Sequence, residues 1–83
     1  MNPKTYNVTS PVMGTFYITS APGEPPLVEV GQRVNTSDVV CLIESMKIFT
    51  ELRVDQGGVV KNIFVENEEP VMKNQELIEI ELV

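Results

Sequence analysis

Few side chains here could do chemistry. The chain has no histidine, so no Ser-His or Cys-His nucleophile pair and no imidazole metal ligand can be assembled. Gly57-Gly58 is the only close glycine pair, and Val59-Val60-Lys61-Asn62 follows it, which is no phosphate loop. Twelve carboxylates could hold an acid and a base, although acidic side chains mostly solvate strand faces and turns. One group stands apart. Ser45-Met46-Lys47 lies between an apolar run, Val39-Val40-Cys41-Leu42-Ile43, and an alternating one, Ile48 to Val54. That arrangement predicts a tight hairpin with Met46 and Lys47 at its tip, in solvent. A turn lysine is ordinarily just a solvated one. Two-residue hairpin turns, however, favour Gly or Asn at their centre, and neither is present. Something other than folding has selected those turn residues.

The elements that must hold this tip are short strands. Ile48, Thr50, Leu52 and Val54 alternate with Phe49, Glu51 and Arg53; Ile78, Ile80 and Leu82 alternate with Glu79 and Glu81; Val59, Val60, Ile63, Phe64 and Val65 flank Lys61-Asn62. Period-two alternation rich in β-branched residues reads as half-buried antiparallel strand. Turn residues break the runs at Ser10-Pro11, Pro22-Gly23, Gly31, Asn35 to Asp38, Gly57-Gly58 and Glu69-Pro70. No helical period is sustained.

The two halves repeat. Val28–Glu44 aligns without a gap on Val65–Glu81, at an offset of 37 over seventeen positions. Val28, Glu29, Val34, Ile43 and Glu44 recur as Val65, Glu66, Val71, Ile80 and Glu81, and the turn Ser37-Asp38 falls on Asn74-Gln75. Upstream, Pro11–Thr15 aligns best with Asp55–Val59, at an offset of 44. The first half therefore holds seven extra residues, for which Ser20, Ala21, Pro22, Gly23, Glu24, Pro25 and Pro26 are the obvious candidates. Three prolines fix φ and withhold ladder donors, so this stretch should be a stiff protruding loop outside the repeated core. The expected fold is all-β: a flattened antiparallel barrel or sandwich of about eight strands with a pseudo-two-fold axis. Ile43, Ile78, Ile80, Leu52, Val54 and Cys41 should be core. Residues 1–9 are expected to be a flexible N-terminal tail and 10–83 the domain.

Eighty-three residues suffice for one small core. The net charge of −6 argues against nucleic acid, whose phosphates need cationic partners, and against an anionic membrane surface. No apolar run is long enough to cross a bilayer. A single cysteine, aligned with Ile78, reads as a small core side chain rather than a redox thiol.

Glu44-Ser45-Met46-Lys47-Ile48 resembles the attachment motif of biotin carboxyl carrier domains, typically Glu-Ala-Met-Lys-Met. Pro11-Val12-Met13-Gly14-Thr15-Phe16-Tyr17, Val28 to Val34 and the Glu69-Pro70-Val71 turn also resemble that family, so the likeness runs from about Ser10 to Leu82. The seven-residue insertion falls where carriers of bacterial and plastid acetyl-CoA carboxylase have a protruding thumb. Ser45 in place of alanine and Ile48 in place of methionine are departures from the pattern.

The resemblance implies biotin joined by an amide to Lys47, the other residues of the motif serving recognition. It implies a non-catalytic carrier that takes a carboxyl group from a biotin carboxylase site to a carboxyltransferase site, for malonyl-CoA formation in fatty acid synthesis. A biotin protein ligase, the carboxylase and the transferase are the implied partners, and bacterial cytoplasm or plastid stroma the implied compartment. The family's subunits usually carry an N-terminal region and a linker, which gives the expectation that this chain is the C-terminal domain alone. The alternatives are the biotinyl domain of another acyl-CoA carboxylase, or a lipoyl carrier, whose motif normally has aspartate before the lysine.

Overall fold

The computed structural model describes residues 4–82. Eight strands follow in order: β1 (Thr5–Thr9), β2 (Gly14–Tyr17), β3 (Arg33–Val34), β4 (Val39–Ser45), β5 (Ile48–Arg53), β6 (Gly58–Ile63), β7 (Pro70–Val71) and β8 (Glu76–Leu82). They form two four-stranded antiparallel sheets, ordered β1-β8-β6-β3 and β5-β4-β2-β7. The described residues include no helix, and so none that could cross a membrane.

The second sheet is the first one repeated. Adding 37 carries β3 onto β7 and β4 onto β8; adding 44 carries β1 into β5 and β2 into β6. Hydrogen bonds obey the same rule. Phe16 N–H donates to Glu69 O at 2.9 Å, and Val60 N–H to Gln32 O at 2.9 Å; Ser37 N–H donates to Val54 O, and Asn74 N–H to Ser10 O. Backbone dihedrals follow too. Ser37 and Asn74 both take positive φ (74° and 70°), as do Gly31 and Glu68 (93° and 69°). Gly14 and Gly58 are the most tightly constrained pair. A Cβ at either would collide with the carbonyl oxygen of Glu44 or Glu81, the equivalent residues of the central strands.

The core lies between the sheets and is built from repeat pairs. Phe16 and Val60, Cys41 and Ile78, Ile43 and Ile80, Val34 and Val71, and Val8 and Leu52 are all buried. The six residues expected inside are there: Ile43, Ile78, Ile80, Leu52, Val54 and Cys41. Burial pushes the Cys41 thiol up to about 12, which keeps it protonated and unreactive. Burying each large side chain stabilises by about 1.5–3 kcal/mol, against the entropy of ordering the chain. Ser10, buried and polar, is satisfied: its hydroxyl donates to Val12 O at 2.6 Å, and its N–H to Gln75 O at 3.0 Å.

Two expectations are corrected. Residues 1–9 are not a tail throughout. Thr5–Thr9 is strand β1, paired antiparallel with β8 through Tyr6↔Ile80 and Val8↔Ile78, while residues 1–3 lie outside the described residues. Val8 is buried, and the Tyr6 hydroxyl donates to Gln56 O at 2.9 Å. The physical reason is that β8 is a central strand, and its second edge needs a partner as β4 needs β5. The second correction concerns β5. Ile48 and Thr50 share the parity of Leu52 but are exposed. They lie at the free end of the hairpin, where nothing from the other sheet covers them.

Ser20 to Pro26 are all exposed and stand outside the repeated strands. A bridge between Thr19 and Pro26 and a 2.7 Å bond from Leu27 N–H to Ile18 O close the base of this loop. Glu24 N–H donates to Ala21 O across a turn in which Gly23 has φ 83°. Glycine adopts that conformation without steric cost.

Candidate functional site: the β4–β5 hairpin

Ser45 and Ile48 are the last ladder pair of β4 and β5, so Met46 and Lys47 alone form the turn. Both have positive φ, 52° and 66°. A two-residue hairpin of the right twist requires this of both central residues. For side chains other than Gly, Asn or Asp, the left-handed region costs roughly 1–2 kcal/mol per residue. The long β4–β5 ladder holds the turn in that state. Strain of this kind persists where surrounding structure imposes it, often at functional positions.

The turn puts Met46 almost wholly in solvent, 92% exposed, with Lys47 exposed beside it. Two ion pairs occur among the described residues, Arg53–Glu51 at 2.8 Å and Lys61–Glu81 at 3.8 Å, and neither involves Lys47. The hairpin therefore offers an amine on a long flexible stem, at the tip of a rigid projection. No group of three metal-ligating side chains occurs among the described residues.

The outer face of this sheet is unusual. Tyr17 on β2, Leu42 and Glu44 on β4 and Phe49 on β5 come together through the registers Tyr17↔Leu42 and Glu44↔Phe49. The Tyr17 and Phe49 rings are tilted at 49° with centroids 5.8 Å apart, within the range of favourable aromatic contact. The Tyr17 hydroxyl donates to Glu44 Oε1 at 3.0 Å. That bond raises the phenol's pKa, since ionisation would lose it; burial and the negative charges of Glu44 and Glu68 act in the same direction. Ala21 and Pro22 of the inserted loop complete a groove of about 360 Å³ over Tyr17, Leu42 and Phe49. Ile18 N–H donates to Asn67 Oδ1 at 2.9 Å, which ties the base of the loop to the β6–β7 connection.

The repeat provides an internal control. On the other sheet the positions of Tyr17, Leu42 and Phe49 hold Lys61, Glu79 and Thr5. There Lys61 reaches Glu81 at 3.8 Å, where Tyr17 bonds Glu44. The scaffold therefore tolerates a polar outer face, and only the half bearing the hairpin and the loop has an apolar one. Sequence reasoning placed the hairpin residues and the loop but missed this groove. The mismatches within the repeat, Tyr17 against Lys61 and Leu42 against Glu79, were the signal that could have found it.

A family model described as "Biotin-requiring enzyme", for biotin/lipoyl domains, matches residues 6–80. The chain belongs to the biotin/lipoyl family. The family match begins inside β1, so this strand is part of the biotin/lipoyl domain. Among curated proteins, the biotin carboxyl carrier protein of acetyl-CoA carboxylase from Nostoc sp. is 48% identical over 77 residues, covering 93% of this chain and 42% of that protein. The Pseudomonas aeruginosa protein of the same name is 40% identical over 73 residues, covering 88% and 47%. Arabidopsis thaliana has a chloroplastic protein, biotin carboxyl carrier protein of acetyl-CoA carboxylase 1, that is 45% identical over 64 residues, covering 77% and 23%. The chain thus spans less than half the length of these relatives. The crystal structure of the Kluyveromyces lactis urea carboxylase contains the same fold, with a TM-score of 0.76 at 24% identity over 96% of this chain and 6% of that one.

Proposed function

We propose that this biotin/lipoyl domain is the biotin carboxyl carrier domain of an acetyl-CoA carboxylase, with biotin bound covalently to Lys47. The observation that carries this reading is the strained, fully exposed Met46-Lys47 turn at the end of the β4–β5 ladder. The names of the relatives from Nostoc, Pseudomonas and Arabidopsis support the assignment to acetyl-CoA carboxylase. Biotin, when bound, supplies a ring nitrogen that accepts and releases a carboxyl group. The chain itself presents and restrains. The Lys47 amine forms the amide, attacking an acyl carbon that a ligase has activated with ATP, and the nucleotide departs. The lysine stem then tethers the cofactor, which raises its effective concentration at each catalytic site. Catalysis belongs to a biotin carboxylase and a carboxyltransferase, not to this domain. Glu44, Ser45, Met46 and Ile48 form the recognised surround of Lys47. The groove beneath the inserted loop is large enough and apolar enough to shelter a bicyclic ring, which supports a holding role for Ser20 to Pro26. The bacterial and chloroplastic relatives support bacterial cytoplasm or plastid stroma as the compartment.

The test is intact mass after incubation with ATP and either biotin plus a biotin protein ligase or lipoate plus a lipoyl ligase. One biotinyl group and no lipoyl group are expected. Lipoyl addition without biotin would overturn the reading.

The loop gives a second prediction. Deleting Ser20 to Pro26 joins Thr19 to Leu27 and restores the spacing that the second half has between Val60 and Val65. The shortened domain should still fold, with a melting temperature near the parent's, and should still accept biotin. Carboxylation of its biotin by the parent carboxylase should fall severalfold. Unfolding on deletion would show that the loop belongs to the core.

A further inference from the structure

Three of the chain's four methionines are described, and all three are exposed: Met13 at 64%, Met46 at 92% and Met72 at 62%. They are not scattered. Continuing the register Thr15↔Glu44 brings Met13 opposite Met46, and continuing Gly14↔Val71 brings Met13 opposite Met72. The three form a row across one end of the sheet, beside Lys47, with the outward parity of Thr15 and Glu44. Exposed apolar side chains standing singly need no explanation, but a contiguous row of them does.

The scaffold does not require this row. The repeat partners of Met13 and Met72 are Gly57 and Asn35. The loops that carry the row are nonetheless firmly held. The buried Ser10 hydroxyl donates to Val12 O at 2.6 Å and fixes the bend before β2. Met72 N–H donates to Gln75 Oε1 at 2.9 Å and fixes the turn after β7. The row also lies apart from the groove under the inserted loop, which is lined farther along the strands by Tyr17, Leu42 and Phe49.

We propose that Met13, Met46 and Met72 form the docking rim for the ligase that acylates Lys47, received by an apolar wall around the ligase's acyl-adenylate site. The inference rests on Lys47 being the acylated residue. Reach decides the occupant. An enzyme that joins an acyl group to the Lys47 amine must bring the activated carbonyl into contact with Nζ. Its wall therefore comes within one lysine side chain of the turn, where the methionines stand. Enzymes acting on the finished arm meet its far end and can stay an arm's length away. Methionine suits such a rim, since its unbranched, polarizable side chain repacks against an apolar partner at little cost.

The test is steady-state biotin transfer to the 83-residue chain by a biotin protein ligase, at varied concentrations of the chain. In the double variant Met13→Gln, Met72→Gln, two rim contacts are lost and KM should rise about tenfold. kcat should stay within about twofold of the parent, since the reacting atoms are untouched. Met13→Leu with Met72→Leu should restore most of the loss, which a purely structural role would not predict at exposed positions. The single variants Met13→Gln and Met72→Gln, expected at about threefold each in KM, carry the test should the double variant melt early. A KM at the parental value, or a loss confined to kcat, overturns the proposal. Lys47→Arg in the same assay separates the two claims. Label on that variant defeats the reading of Lys47, whereas no label there together with a parental KM in the glutamine variants defeats the rim alone.

Discussion

Lys47→Arg should accept no biotin from a ligase and should melt within about 4 °C of the parent. The first expectation follows from chemistry. A guanidinium stays protonated at any working pH and has no free amine to attack an acyl carbon. The second follows from position. An exposed, charge-conserving change is usually worth less than about 0.5 kcal/mol, and 1 kcal/mol is about 4–8 °C for a domain of this size. The other lysines should not take over. Lys61 lies within a sheet, 3.8 Å from Glu81. Lys73 is the stringent control, because Met-Lys occurs at 72–73 as well as at 46–47. In the turn after β7, however, the residue with positive φ is Asn74, not the lysine. Lys73 is therefore not at the apex of a two-residue hairpin, and Lys73→Arg should label like the parent. Biotin on the Lys47→Arg chain, found by intact mass, would refute the assignment.

Met46→Asn combined with Lys47→Gly should stabilise the fold while removing its function. Asn and Gly enter the left-handed region readily, so the turn loses the strain that Met46 and Lys47 impose. Glycine's greater freedom in the unfolded chain offsets part of the gain. A net increase of about 1 kcal/mol is expected, read as about 4–8 °C in melting temperature, with no acceptance of biotin. Met46→Asn alone should take part of the stability gain and keep its acceptor lysine. A double variant that melts at or below the parental temperature would show that the turn stores no strain, and that its residues were not selected against folding.

The repeat was the most legible part of the chain. Matching Ser37-Asp38 with Asn74-Gln75 and Ile43 with Ile80 placed turns and core alike, because each repeat unit must satisfy the same packing and the same backbone bonds. The hairpin tip was legible for the opposite reason: Met46 and Lys47 break the turn chemistry that folding alone would favour. β1 was not legible. Thr5-Tyr6-Asn7-Val8-Thr9 does alternate polar with apolar residues, but so short a run names no mate, and its partner β8 lies some seventy residues away. Extending the offset of 44 to place Val8 on Leu52 would have found it. The exposure of Ile48 and Thr50 was hidden because alternation reports which face a side chain takes, not whether anything covers that face. The groove of Tyr17, Leu42 and Phe49 escaped because it draws one residue from each of three strands, and only the register brings them together.

The most direct measurement is a peptide map of the ligase-treated chain, with mass spectrometry assigning each modified lysine. Biotin is expected on the peptide that contains Lys47, with unmodified peptides for Lys61 and Lys73. Biotin at Lys73, or spread over several lysines, would contradict the assignment to Lys47, since the strained hairpin would then not be what the ligase reads.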